Sequence, residues 1–294
     1  MQKDKRLSYL MFITSALIFG TIGIFRRYIP ISSAALACCR GGMGALFLTL
    51  FVVLKGGRLR HGIGRKKVLL LLLTGGIMGI NWLLLFEAYN YTSVATATLC
   101  YYMQPTIVIL LSPIFFRERL TARKLLCALC AAGGMVLVSG ILEGGSGGAG
   151  DARGILLGLS AAVFYAAVII LNKKVSVPDA YEKTILQLLA AAIVMIPYLL
   201  LGGGGSLALP ETRGLIMLLL VGLVHTGLAY ALYFGSMPAL PAQSIAVLSY
   251  IDPVAALILS ALILKEGLSL PALIGAVLII GSALVSELSP KKTE

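Results

Sequence analysis

Long uninterrupted runs of apolar residues dominate the chain and alternate with short segments that carry most of its charges. A helix needs about 20 apolar residues to cross the roughly 30 Å of hydrocarbon in a bilayer. Reading the runs between charge clusters and Gly/Pro breaks predicts ten such spans. They lie at 7–25, 31–54, 68–88, 92–116, 122–142, 153–172, 182–201, 214–236, 240–264 and 269–287. Because the runs lack the two-residue alternation of a membrane barrel, we expect an all-α membrane protein.

The composition supports a membrane protein and orients it. Of the 294 residues, 59% are hydrophobic and 12% are charged, against about 45–50% and about 25% in soluble domains. The net charge of +12 is also seen in nucleic-acid-binding proteins, but membrane proteins concentrate Lys and Arg in their cytoplasmic loops. With a cytoplasmic N-terminus, 18 of the 24 Lys and Arg residues fall on the cytoplasmic side of the predicted spans. We therefore expect a multi-pass protein of the cell (inner or plasma) membrane with both termini in the cytoplasm and no nucleic-acid partner.

The two halves of the chain are related by an internal duplication. Residues recur at an offset of 148, and the pairs are Tyr102 with Tyr250, Pro105 with Pro253, and Glu118 with Glu266. A Gly-rich segment at 143–152 reads as a flexible linker between repeats at 7–142 and 153–287. Each repeat holds five predicted spans, an odd number, so the repeats must insert in opposite orientations. Inverted repeats of this kind are typical of secondary transporters, whose substrate site lies near the membrane midplane.

The repeated motifs resemble the EamA domain of the drug/metabolite transporter superfamily. They are Gln104-Pro105 with Arg117-Glu118-Arg119-Leu120 in the first half, and Asp252-Pro253 with Lys265-Glu266-Gly267-Leu268 in the second. The resemblance covers nearly the whole chain. It implies two inverted five-helix repeats that move a small metabolite by alternating access, with the fifth and tenth helices at the periphery.

The paired prolines and glutamates suggest mechanical roles. Pro105 and Pro253 fall near the middle of their predicted spans, where a proline kinks a helix. We interpret them as hinges beside the cavity; a static kink is the alternative. Glu118 and Glu266 close the same spans. We expect their carboxylates to anchor helix ends to basic neighbours or to amide groups of the next helix, with a gate as the less favoured role.

Polar side chains inside the spans are the candidates for substrate binding, because such groups are costly in hydrocarbon and usually functional. They are Arg40, Asn81, Trp82, Tyr101, Gln104, Tyr165, Gln187, His225, Tyr230, Ser249 and Asp252. Arg40 would orient a carboxylate and Asp252 an ammonium group, or the two would pair with each other and only support packing. His225 would carry a proton, since imidazole titrates near physiological pH, or make a helix–helix hydrogen bond.

These patterns predict a secondary active transporter, an exporter or exchanger, of a small amphipathic metabolite such as an amino acid. The chain has no P-loop lysine motif, so we expect no nucleotide cofactor and take a proton gradient as the default energy source. No His-Glu-x-x-His motif or metal-ligand cluster is present, so we expect neither a metal site nor an enzyme. The alternative is a membrane scaffold or sensor with a degenerate transporter fold.

Overall fold

The computed structural model describes residues 5–57, 63–117, 120–138, 149–175, 177, 179–201 and 211–287. Within these ranges the regular secondary structure is helical and no strand occurs. The helices are α1 (Lys5–Gly20), α2 (Ile22–Arg27), α3 (Ser33–Leu54), α4 (Arg65–Tyr91), α5 (Val94–Tyr101), α6 (Gln104–Phe116), α7 (Ala122–Val138), α8 (Ala149–Lys174), α9 (Ala180–Leu200), α10 (Thr212–Gly222), α11 (Ala229–Ser236), α12 (Ala242–Ser249), α13 (Ile251–Ile263) and α14 (Leu270–Glu287). A π turn at Leu223–Leu228 joins α10 to α11.

Seven helical segments of these ranges are long and apolar enough to cross a membrane. They are Lys5–Arg27, Ser33–Leu54, Arg65–Tyr91, Val94–Phe116, Asp151–Lys174, Ala180–Leu200 and Thr212–Ala239. Shorter apolar helices occupy Ile251–Ile263 and Leu270–Val285. The all-helical prediction is confirmed; the count of ten spans stays a prediction.

Side-chain caps begin several of the helices. At the start of α3, Ser32 accepts a hydrogen bond of 3.2 Å from the amide of Ala35. At the start of α5, Ser93 accepts one of 2.9 Å from the amide of Thr96. Thr121 and Ser269 do the same at the starts of α7 and α14, each at 3.3 Å. A hydroxyl cap satisfies an amide that has no partner within the helix, so these residues define where the helices begin.

The segments around the two paired prolines are broken helices. α5 ends before Tyr102 and α6 begins at Gln104. In the second half, Tyr250 separates α12 from α13. Pro105 and Pro253 therefore lie in the first turn of a new helix, rather than in mid-helix as the span boundaries suggest. A proline in the first turn gives up no intrahelical hydrogen bond. The helix is therefore interrupted rather than kinked at these positions, and the fixed φ angle of each proline favours the start of the helix in which it lies.

The backbone also changes conformation where these broken helices end. Arg117 and Lys265 have φ angles of 56° and 54° and are the non-glycine residues with positive φ among those described. They are 148 residues apart, the offset found in the sequence. The left-handed conformation costs a residue with a side chain about 1–2 kcal/mol. Each of these residues precedes one of the paired glutamates.

Two hydrophobic clusters hold the helices together. The larger joins α3, α4, α8 and α9 through residues such as Leu36, Phe86 and Leu188. The smaller includes Ala131 of α7 and Ile279 of α14. These two helices approach through facing glycines, Gly134 and Gly275, where an added Cβ on Gly134 would lie 2.7 Å from the Gly275 carbonyl. Many apolar side chains remain exposed on the outer faces, among them Leu129 and Leu262, as expected for helices that face lipid.

Candidate functional site

A cavity of about 660 Å³ lies inside the helical bundle. Its described lining comes from both halves of the chain, and none of it from α7 or α14. Nine of the predicted substrate-binding residues line it: Arg40, Trp82, Tyr101, Gln104, Tyr165, Gln187, Tyr230, Ser249 and Asp252. Pro105 lines it as well. The packing therefore brings together polar side chains that are up to about two hundred residues apart in the chain.

Arg40 is the buried cation of this cavity. Arg40 is only 5% exposed, and its Nε donates a hydrogen bond of 2.8 Å to Thr226 Oγ1. The guanidinium carbon lies 4.1 Å from the ring centroid of Trp82 and 5.6 Å from that of Phe86. Stacking on aromatic faces stabilises a cation removed from water. These contacts fix the guanidinium without neutralising it.

Asp252 is the acidic group among the described residues that line the cavity. Its carboxylate accepts a hydrogen bond of 2.6 Å from the Tyr102 hydroxyl, which comes from the other half of the chain. Asp252 also lies in the first turn of α13, where the helix dipole favours negative charge. The ion pair found among the described side chains joins Arg27 to Glu266 and involves neither Arg40 nor Asp252. Arg40 and Asp252 thus share a cavity without pairing with each other.

Aromatic rings form much of the cavity wall. From α1 and α11, Phe19 and Tyr230 have centroids 5.3 Å apart, and Tyr230 stacks on Phe234 at 5.8 Å. From α5 and α8, Tyr101 and Tyr165 lie 5.3 Å apart. Sequence reasoning missed Phe12, Phe19, Tyr233 and Phe234, which also line the cavity. An aromatic residue in an apolar run carries no signal that separates a cavity wall from a lipid-facing surface.

Two predicted site residues, Asn81 and His225, do not line the cavity. Asn81 is fully buried and its Nδ2 donates a hydrogen bond of 2.6 Å to the Ala161 carbonyl, which joins α4 to α8. His225 Nε2 is 2.8 Å from Thr21 Oγ1, and its ring packs edge-on against Phe25 at 4.5 Å. In this structure both side chains serve contacts between helices. Pro253 is likewise buried outside the cavity lining.

Glu266 joins the two halves at one end of the bundle. Its carboxylate accepts hydrogen bonds from the backbone amides of Val94, at 2.9 and 3.1 Å, and Ala95, at 3.4 Å. These amides open α5, and a carboxylate is favoured at a helix N-terminus. Arg27 Nη2 lies 3.1 Å from the same carboxylate. Glu118, its predicted counterpart, lies outside the described residues.

A second polar cluster at this end was not anticipated from the sequence. Arg26, only 7% exposed, donates hydrogen bonds to the Ile29 carbonyl at 2.8 Å and to Ser33 and Asn90 at 3.2 Å. Ser33 in turn donates to Glu87 at 2.7 Å. One signal in the sequence could have indicated this cluster, because Glu87 is an ionisable residue within an apolar run. The cluster ties the ends of α2 and α4 to the start of α3.

The helical bundle, with long apolar segments around a cavity lined by polar and aromatic side chains, is that of a multi-pass membrane protein. The chain belongs to the EamA-like transporter family, whose model matches residues 6–140 and 152–287. It is thereby a member of the drug/metabolite transporter superfamily. The family assignment confirms the resemblance seen in the paired motifs.

Relatives of the chain are transporters of uncharacterized function. It is 30% identical over 257 residues to the uncharacterized transporter YxxF of Bacillus subtilis, covering 87% of this chain and 82% of that protein. An uncharacterized transporter of Archaeoglobus fulgidus is 25% identical over 278 residues, covering 93% and 94%. A crystal structure with a TM-score of 0.67 and 21% identity covers 95% of this chain and 96% of its own. That likeness shows a shared fold.

Proposed function

We propose that this protein is a secondary active transporter, an exporter or exchanger, of a small zwitterionic metabolite such as an amino acid or a related amphipathic compound. It would work by alternating access, with ten spans in two inverted five-helix repeats, 7–142 and 153–287, and both termini in the cytoplasm. The family membership supports transport, and the 148-residue offset and the distribution of Lys and Arg support this architecture.

The observation that carries the proposed substrate class is the pair of opposite charges in one cavity. Arg40 and Asp252 both line it and do not bond to each other. Two unpaired charges of opposite sign in an apolar enclosure favour a ligand that bears both a carboxylate and an ammonium group. The Tyr and Phe rings of the cavity wall, together with Trp82, would contact the apolar body of that ligand.

The two ends of the cavity differ, and this supports an alternating-access cycle. Glu266 holds α5 to the second half at one end, which the charge distribution assigns to the outside. At the opposite end, which the same charge distribution assigns to the cytoplasm, the lining includes Lys173 and Met237. In the proposed cycle the outer end opens when the Glu266 contacts break, and the helix breaks preceding Pro105 and Pro253 act as hinges. Discontinuous helices at the substrate site are typical of transporters with inverted repeats.

Counterflow in proteoliposomes tests this function. Vesicles loaded with each of a panel of unlabelled amino acids and other metabolites receive trace labelled compound, with and without a pH gradient. We expect saturable, transient accumulation of a zwitterionic compound, and an increase with the gradient if protons are the coupling ion. Flux that does not saturate would indicate a channel. Failure of every compound to exchange, in vesicles that retain folded protein, would contradict the proposal.

A further inference from the structure

The π turn between α10 and α11 is a local departure from regular helix that lies beside the candidate site. A π turn uses hydrogen bonds from residue i to i+5 and usually occurs singly, often at functional sites. His225, Thr226 and Gly227, three consecutive residues of this turn, are all buried. Since each residue of an α-helix advances by about 100°, one extra residue re-aims the faces of the helix that follows.

Thr226 uses its hydroxyl in two hydrogen bonds. Oγ1 donates to the Val221 carbonyl, five residues earlier, at 3.0 Å. It accepts from Arg40 Nε at 2.8 Å. Thr226 is fully buried, so no solvent competes for this hydroxyl. The bond to its own helix orients the oxygen lone pairs toward Arg40.

A glycine on α3 permits this close contact. Gly44 lies one helical turn beyond Arg40, on the same face, and a Cβ there would overlap the Thr226 methyl group. The backbone of α3 can therefore approach the π turn closely enough for Arg40 Nε to reach Thr226. The π turn and the glycine together determine the position of the guanidinium.

The Thr226 bond leaves the terminal nitrogens of Arg40 available. Nε is bonded to Thr226, and one face of the guanidinium covers Trp82. No described side chain or carbonyl is hydrogen-bonded to Nη1 or Nη2. Guanidinium binds a carboxylate most strongly through two parallel N–H donors, and Arg40 lines the cavity.

We propose that Thr226, held by the π turn, is a positioning residue that fixes Arg40 so that its terminal nitrogens form a binding site for the substrate carboxylate. This inference rests on the proposed function and adds the residue that determines carboxylate recognition. Thr226 itself touches Arg40 and not the substrate. Its loss should therefore weaken binding of carboxylates selectively.

Trp82 provides the measurement, because it is the only tryptophan in the chain and lies directly against Arg40. Its emission is recorded for the full chain in lipid nanodiscs during titration with three probes: L-leucine, isocaproate, which is leucine without the amino group, and leucinamide, which lacks the carboxylate. We expect leucine and isocaproate to change the emission saturably. In Thr226→Val, their dissociation constants should rise about tenfold, the effect of losing a hydrogen bond to a charged group.

Two matched variants separate positioning from packing. Thr226→Ser keeps the hydroxyl and should restore wild-type dissociation constants to within about twofold. Thr74→Val removes another fully buried threonine hydroxyl, one that donates to its own helix at the Leu70 carbonyl, and should leave all three constants unchanged. The constant for leucinamide should be unaffected by Thr226→Val. If that variant does not fold, Thr226→Ala takes its place in the same titrations.

Three results would overturn the inference: unchanged carboxylate affinity in the valine variant, equal weakening of leucinamide, or no saturable response to either carboxylate in the wild-type protein. Each is distinguishable from failure of the proposed function, which is absence of counterflow with every compound. A protein that performs counterflow while its valine variant keeps carboxylate selectivity would remain a transporter without this positioning role.

Discussion

At the scale of single residues, the cavity contains two charges whose burial must be compensated. Arg40 relies on Thr226 and on the faces of two aromatic rings, and Asp252 relies on Tyr102 and the start of α13. These partners hold the charges in place, yet neither charge is cancelled by an opposite one. Ionisable groups kept in this state inside a membrane protein are usually those that act on a substrate.

Arg40→Ala and Asp252→Asn should each abolish counterflow, lowering the initial rate by at least about a hundredfold, because each removes a charge-assisted contact to the substrate. The measurement is counterflow with whichever compound the panel identifies, alongside the elution profile of the purified variants to verify folding. Arg213→Ala and Asp151→Asn make the same changes at helix ends outside the described cavity lining and should retain wild-type rates. Wild-type flux in both cavity variants would remove these residues from the binding site.

At the scale of helices, apolar packing of α3 and α4 against α8 and α9 joins the two halves along the bundle, and polar contacts of Glu266 join them at one end. Glu266 caps α5 and pairs with Arg27 across the proposed repeat boundary, and the residue before it, Lys265, has the left-handed backbone conformation. A cap contributes about 1 kcal/mol and a partly exposed ion pair up to about 1 kcal/mol. The sum of these two contributions is small enough to be overcome in the proposed transport cycle. It is also large enough to shift the population of its conformations.

Glu266→Gln should shift the protein toward the outward-open conformation by roughly tenfold in population, since it removes the ion pair and weakens the cap of α5. A cysteine placed at Thr98, which lines the cavity on α5, reports the shift through its rate of labelling by an impermeant maleimide added outside. The background is a variant without the native cysteines. Glu211→Gln, at a helix start where the side chain makes no cap, should not change the rate. Equal labelling with and without Glu266 would exclude a gate role.

Pro105→Ala and Pro253→Ala should each slow transport by at least about threefold while leaving the titration of Trp82 emission unchanged, because an alanine lets a helix continue across the break and stiffens it. The measurement pairs counterflow rates with dissociation constants from fluorescence. Pro197→Ala in α9, away from either break, is the matched control. If all three variants transport at the same rate, the breaks are static and the hinge interpretation is wrong.

At the scale of the whole molecule, the helices divide into those around the cavity and a pair beside it. α7 and α14 pack on each other through facing glycines and contribute nothing to the described cavity lining. The cavity is built by contacts such as α4 with α8 and α9, and α1 with α11 and α13. Such a division suits the proposed cycle, in which the two halves rock around a central site.

Both termini should lie in the cytoplasm, because 18 of the 24 Lys and Arg residues fall on that side of the predicted spans and the positive-inside rule follows this bias. Fusions of a reporter that is active only in the cytoplasm should give signal at the N- and the C-terminus. The same reporter inserted between predicted spans 182–201 and 214–236, a position that the predicted topology places outside, should give none. A signal from only one terminus would require an odd number of spans and would contradict the inverted repeats.

The sequence by itself determined the class of structure and predicted most of the polar residues that line the candidate site. Uninterrupted apolar runs leave helices as the structure that satisfies backbone groups in lipid, and the paired motifs around Pro105 and Pro253 point to the family. Arg40 and Asp252 could be selected because an ionisable group in an apolar run is costly whatever surrounds it.

Only the tertiary structure decided which way each side chain faces. Asn81 and His225 look like Arg40 in the sequence, but they bond to neighbouring helices. A helix that is apolar on all sides has no periodic signal to mark its inner face, so the cavity wall emerges only when the helices pack. The π turn at Leu223–Leu228 was equally invisible, because its residues fit an α-helix and only the close contact of Arg40 with Thr226 shows what the turn holds in place.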